Sequence, residues 1–134
     1  MKVLSIKEPF ATLIKDGIKK YETRSWKTNY RGEIFIHASK TLSKSNNVDK
    51  AKKYLKSKIK PEYILCKCEL VNCIPMTKGF IDYINNETNE GDYGHYSEER
   101  YAWELKVIEV LEKPIKSKGK LGIWNFDIEK STNK

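Results

Sequence analysis

The sequence predicts an α+β domain: a small mixed β-barrel of about five or six strands, with helices in its connections. Three observations carry this reading. Strand-type segments outnumber helical ones in the apolar positions, the elements lack the βαβα rhythm of a parallel sheet, and 134 residues leave room for one core. The domain is expected over residues 1–128, with a polar, flexible tail over 129–134.

Residues 2–6 read as a short strand. Pro9 opens a helix, because a proline loses nothing at the first helical position, and Phe10, Leu13 and Ile14 share a face before Gly17 stops it. Residues 21–26 are extended, being rich in aromatic and β-branched types. The turn Asn29-Tyr30-Arg31-Gly32 then returns the chain as a strand over 33–37.

A polar loop at 43–47 precedes a second helix, capped by Asn46 or Asn47, with Val48, Ala51, Leu55 and Ile59 as a narrow apolar stripe. Pro61 ends it. Residues 63–74 form a long strand that alternates Ile64, Cys66, Cys68 and Leu70 onto one side. A short helix over 77–85 carries Phe80, Ile81 and Ile84, and an acidic loop fills 86–99. A long strand over 101–111, a lysine-rich turn through Pro114 and Gly119, and a last strand at 123–126 complete the set.

The chain lacks the apolar run of about 7–15 residues that a signal peptide needs, and the run of about 20 that a membrane span needs. A cytoplasmic protein without membrane contact is expected. Cys66, Cys68 and Cys73 are odd in number and crowded, which suits free thiols. Cys66 and Cys68 read as small core residues, and His37 and His95 stand alone, so no metal is expected. There is no Gly-rich phosphate loop, no nucleophile elbow and no HExxH, and no cofactor is expected.

Charge is unevenly spread. Residues 40–60 hold eight lysines against the single acid Asp49, within a formal net charge of +8. Residues 82–99 hold six acids and no Lys or Arg. A basic middle attracts phosphates from a distance, with Lys50, Lys53 and Lys56 as its expected contacts. Such a surface also serves as ordinary solubilising material, and the charge pattern alone fits both readings. The acidic loop at 82–99 offers a surface for a protein partner.

The densest polar constellation is Gly17-Ile18-Lys19-Lys20-Tyr21-Glu22-Thr23-Arg24-Ser25-Trp26. On a strand over 21–26, Glu22, Arg24 and Trp26 share one face. A carboxylate accepts from exocyclic amines, a guanidinium pairs with phosphate or stacks, and an indole offers a flat apolar surface. An exposed strand with an i,i+2 ion pair and a surface tryptophan fits the same residues.

The segments over 4–39 and 101–126 contain G-x-K-x-x-E-x-R-x-W, then Y-R-G, I-H-A-S, Y-A-W and G-x-W, in that order. Together they closely resemble the ASCH family, the activating-signal-cointegrator homology domain of the PUA-like superfamily. The resemblance implies a PUA-like barrel with a cleft beside the first helix, and a role in binding RNA, DNA or a (modified) nucleotide. It places Lys19, Glu22, Arg24 and Trp26 in that cleft, Lys7 and Pro9 at its mouth, and Ser39 at a family position. Trp103 and Trp124 also match, and as large aromatics on strands they read as core.

One branch of the family looks like an amidohydrolase that removes the acetyl group of 4-acetylcytidine. Its lysine is matched by Lys19, but a threonine nucleophile stands where this chain has Glu22. A carboxylate is not activated as a hydroxyl is, so that mechanism does not carry over unchanged. Lys19 and Glu22 remain candidates for acid–base work, as a nucleoside amidohydrolase or ribonuclease would need. Glu87 and Glu90 are candidates for a third catalytic position.

Overall fold

The computed structural model describes residues 1–127; the tail expected over 129–134 lies outside them. Six strands form one mixed sheet in the order β2-β5-β4-β3-β1-β6, curled into a half-barrel with three α-helices. The strands are β1 (Lys2–Ile6), β2 (Tyr21–Arg24), β3 (Gly32–Ala38), β4 (Tyr63–Pro75), β5 (Tyr101–Lys116) and β6 (Ile123–Asn125). The helices are α1 (Phe10–Lys15), α2 (Val48–Lys52) and α3 (Lys78–Glu87), with a 3-10 turn at Glu90–Asp92. Among the described residues only β1 and β3 pair in parallel, and the segment between them, α1 and β2, supplies the crossover that parallel strands need.

The concave face buries Leu4, Ile34, Ile36, Cys66, Cys68, Leu70 and Trp103 against Ala11 and Ile14 of α1. Cys66 and Cys68 are thus core residues, as their alternation predicts, and the sulfur contact with Cys68, together with burial, pushes the Cys66 thiol up. A second cluster of Val3, Ile64 and Trp124 uses the opposite strand face. Ile64 therefore does not share a side with Cys66, Cys68 and Leu70 as expected, because a register shift between Ile64 and Cys66 breaks the alternation there. Among the described residues, no helix is long and apolar enough to cross a membrane.

α1 sits where its apolar face predicts, with Leu13 and Ile14 fully buried. Pro9 is the residue before its first turn, one position earlier than expected, and the Glu8–Pro9 bond is cis. The buried Glu8 carboxylate takes the acceptor role there, receiving Thr12 N–H at 2.7 Å and the Thr12 hydroxyl. Gly17, at φ +77°, ends the helix: its N–H reaches Ile14 O at 3.0 Å and the Ile18 N–H reaches Leu13 O at 3.0 Å.

Three expectations need correction. The second helix covers only Val48–Lys52 rather than running to Ile59, and Ala51 is its one buried residue. Beyond it, three-residue backbone turns run to Leu55, and side-chain anchors hold the rest. Tyr54 donates to Asp92, Ser57 donates to Asp16, and the Lys60 N–H reaches Glu8. β5 runs through Pro114 to Lys116, because register shifts against β4 provide positions where a proline forfeits no ladder bond. β2 ends at Arg24, so Trp26 does not extend the strand face that Glu22 and Arg24 share.

Candidate functional site

β2 is short, but β5 fixes its register by pairing Glu22 with Trp103 and Arg24 with Tyr101. Alternation then aims Glu22 and Arg24 to one side. Arg24 grips Glu22 Oε2 through both Nε and Nη2, at 2.9 Å each, and Nη2 also donates to Ser5 O at 2.9 Å. The guanidinium therefore ties β2 to β1 and orients the carboxylate, which is 8 % exposed. The other oxygen, Glu22 Oε1, lies 3.9 Å from Lys19 Nζ.

Lys19 leaves the helix-ending turn with its N–H on Leu13 O. Its ammonium is 2.7 Å from Tyr93 O and 5.4 Å from the centroid of the Phe10 ring, and the residue is buried. Burial pulls its pKa below 10.5, and the Glu22 and Glu90 carboxylates oppose that pull without cancelling it. Glu90, also buried, accepts the Lys20 N–H at 3.1 and 3.2 Å and the Tyr21 N–H at 3.4 Å. Burial raises its pKa above 4.5, with Lys19 as the largest opposing influence.

These contacts pin the 90–95 segment against β2. Arg100 reinforces them by donating to His95 O at 3.0 Å and Thr23 O at 3.1 Å. Gly94 is required by the close approach, since a Cβ there would stand 2.7 Å from the Tyr96 ring. Asn47 Nδ2 donates to Gly94 O at 3.2 Å and joins the 43–47 loop to the same rim.

Between these elements lies a cleft of about 430 Å³. Five bases line it, Lys7, Lys19, Arg24, Arg100 and Lys120, against the single acid Glu22. Hydroxyls of Thr23, Ser39, Ser43 and Ser45 complete much of the polar wall, and Phe10 supplies an apolar patch. The arrangement suits an anion with a flat, hydrogen-bonding body.

Of the residues singled out from sequence, the structure brings together Lys7, Lys19, Glu22, Arg24 and Ser39. Pro9 borders a separate small hollow with Leu42, Val48 and Ile59. Trp26 is outside the cleft lining, edge to face with Trp103. Lys50, Lys53 and Lys56 are exposed and do not line the cleft. Glu87 is exposed at the end of α3, whereas Glu90 stands beside Lys19.

Sequence reasoning missed Arg100, Tyr93, Asn47 and the loop serines. Arg100 carries a usable signal, as a lone arginine directly before Tyr-Ala-Trp. The loop residues have none, because their place depends on long-range contacts.

A further cluster adjoins the cleft at Ser5. His37 Nε2 is 2.6 Å from Ser117 O, so it carries a proton, and Nδ1 shares a hydrogen bond with Ser5 Oγ at 3.0 Å. Trp124 Nε1 donates to the same hydroxyl at 2.9 Å. Burial lowers the His37 pKa, against the raising influence of the Ser117 carbonyl. Among the described residues, no group of three His, Cys, Asp or Glu side chains is placed to hold a metal ion.

The family model of the ASCH domain matches residues 4–115. Comparison with curated proteins returns no match.

Proposed function

The chain belongs to the ASCH domain family, and from that premise we propose that its cleft binds a nucleotide, either free and modified or as a unit of RNA or DNA. The observation that carries this reading is the fixed Glu22 carboxylate among the cleft's five bases. The bases supply a field for phosphate. Arg24 occupies Oε2 and leaves Oε1 as an acceptor for a base amine, with Lys19 beside it as a donor. The volume of about 430 Å³ suits one nucleotide rather than a duplex. Lys50, Lys53 and Lys56, exposed on the 48–60 segment, would add sequence-independent attraction for a longer polyanion.

Calorimetric titration with the nucleoside monophosphates tests this. Glu22→Ala should erase preference among bases and preserve phosphate affinity, because a carboxylate repels phosphate. Arg24→Ala should weaken both. Unchanged base preference in Glu22→Ala would reduce the carboxylate to an ion-pair partner.

A second reading is favoured by one observation: a buried amine of lowered pKa and a carboxylate stand 3.9 Å apart, where both can reach one substrate group or water between them. The protein would then be a small hydrolase of nucleoside amides or RNA, using Lys19 and Glu22. Turnover of 4-acetylcytidine and of short RNA by the wild type, lost in Lys19→Met, would establish it. A partner protein on the acidic segment has less support. Glu90 and Asp92 face inward partners, leaving Asp82, Glu87, Glu98 and Glu99 exposed.

A further inference from the structure

Trp26 combines features that no core tryptophan needs. Its side chain is 41 % exposed, whereas Trp103 is 0 % and Trp124 7 % exposed. Its ring meets Trp103 at a centroid distance of 4.7 Å and an angle of 89°. In an edge-to-face pair the buried partner leaves at least one face of the other indole uncovered. The backbone is fixed as well, because Trp103 Nε1 donates to Trp26 O at 3.3 Å.

The surrounding loop is stiff and basic. Arg31 Nη1 donates to Thr28 O at 2.9 Å and Tyr30 O at 2.8 Å, and the Tyr30 N–H reaches Thr28 Oγ1 at 3.1 Å. Residues 23–32 contain Arg24, Lys27 and Arg31 and no acid. Arg24 lines the cleft, and two residues of extended chain span at most about 7 Å.

We propose that Trp26 is a stacking platform outside the cleft for the unpaired base that neighbours the nucleotide held within it. The occupant is single-stranded nucleic acid. A rigid exposed indole binds the π-face of any base, and the acid-free loop attracts the connecting phosphate. Ribose and deoxyribose strands share this chemistry, since stacking does not read the 2′-hydroxyl. The inference rests on the nucleotide reading of the cleft and adds a second subsite to it.

The test measures dissociation constants of a nucleoside monophosphate and of ribo- and deoxyribotrinucleotides for wild type, Trp26→Ala and Trp26→Phe, with thermal melts alongside. The wild type should bind either trinucleotide about ten-fold more tightly than the monophosphate. Trp26→Ala should lose that gain with monophosphate affinity unchanged, and Trp26→Phe should keep part of it while preserving the contact with Trp103. Quenching of tryptophan emission should saturate with trinucleotide binding. A gain that survives in Trp26→Ala overturns the proposal, as does equal weakening of monophosphate and trinucleotide, which would put Trp26 in the cleft. If the wild type binds the monophosphate without any trinucleotide gain, only the platform fails. If it binds neither, the cleft reading and the platform fail together.

Discussion

Replacing Glu8 by alanine withdraws one buried acceptor from three donors. Its carboxylate receives Thr12 N–H at 2.7 Å, the Thr12 hydroxyl, and Lys60 N–H at 2.9 Å. Thr12 is 1 % exposed, so both of its donors would lack water as a substitute. At about 1.5 kcal/mol for each Thr12 donor and about 0.5 kcal/mol for the more open Lys60 N–H, the loss is roughly 3.5 kcal/mol. Relief of the carboxylate's own burial trims this to about 2–3 kcal/mol. That is a large share of the roughly 5–15 kcal/mol that holds a domain folded. Urea unfolding at neutral pH measures it as a lowered midpoint with an unchanged slope. Hydrogen exchange at the Lys60 amide should accelerate in step, since the same carboxylate holds the end of the basic segment. A Glu8→Ala variant within about 0.5 kcal/mol of wild type would refute the reasoning, because surface substitutions give differences of that size.

Gly119→Ala should destabilise by about 1–3 kcal/mol, the typical cost of overpacking. The new Cβ would lie 2.7 Å from Ser5 Oγ and 2.8 Å from His37 Cε1, and a melt equal to wild type would show that this corner yields. Glu90 gives a pH signature. Its folded pKa is raised above 4.5, so its contribution to stability is complete below 4.5 and is lost as pH rises through the raised value. The stability of the wild type relative to Glu90→Gln should therefore fall as pH rises from 4.5, and a flat difference would contradict the burial argument. Thiol titration of the folded protein should modify Cys73 quickly and Cys66 and Cys68 slowly, since both of the latter are 0 % exposed. Three fast thiols would place the pair outside the core. Reversing Lys50, Lys53 and Lys56 to glutamate should weaken RNA binding strongly and flatten its salt dependence; an unchanged salt slope removes this segment from nucleic-acid contact.

The sheet was legible because its strands carry local signals. Gly17 marks the end of α1, the alternation through Cys66, Cys68 and Leu70 marks β4, and Glu22 and Arg24 share a face because strand period is two. The segment after α2 was not legible, since an apolar stripe among lysines suggests helix while Tyr54, Ser57 and Lys60 are held by Asp92, Asp16 and Glu8. These partners are distant in sequence and leave no periodic trace. Trp26 failed for a different reason: β2 ends two residues before it, and boundaries are where pattern reading is weakest. Most of the cleft wall comes from loops such as 43–47 and 93–95, whose positions follow from contacts distant in sequence, among them Asn47 to Gly94 and Lys19 to Tyr93.

The central claim, that the nucleotide sits in the cleft, is tested most directly by following backbone amide resonances during titration with a nucleoside monophosphate. Saturable shifts are expected at Lys19, Glu22, Thr23 and Arg24 on β2 and its approach, and at Tyr93, Gly94 and His95 on the facing rim. Shifts confined to Lys50, Lys53 and Lys56, with the β2 and rim resonances unmoved at saturation, would contradict it.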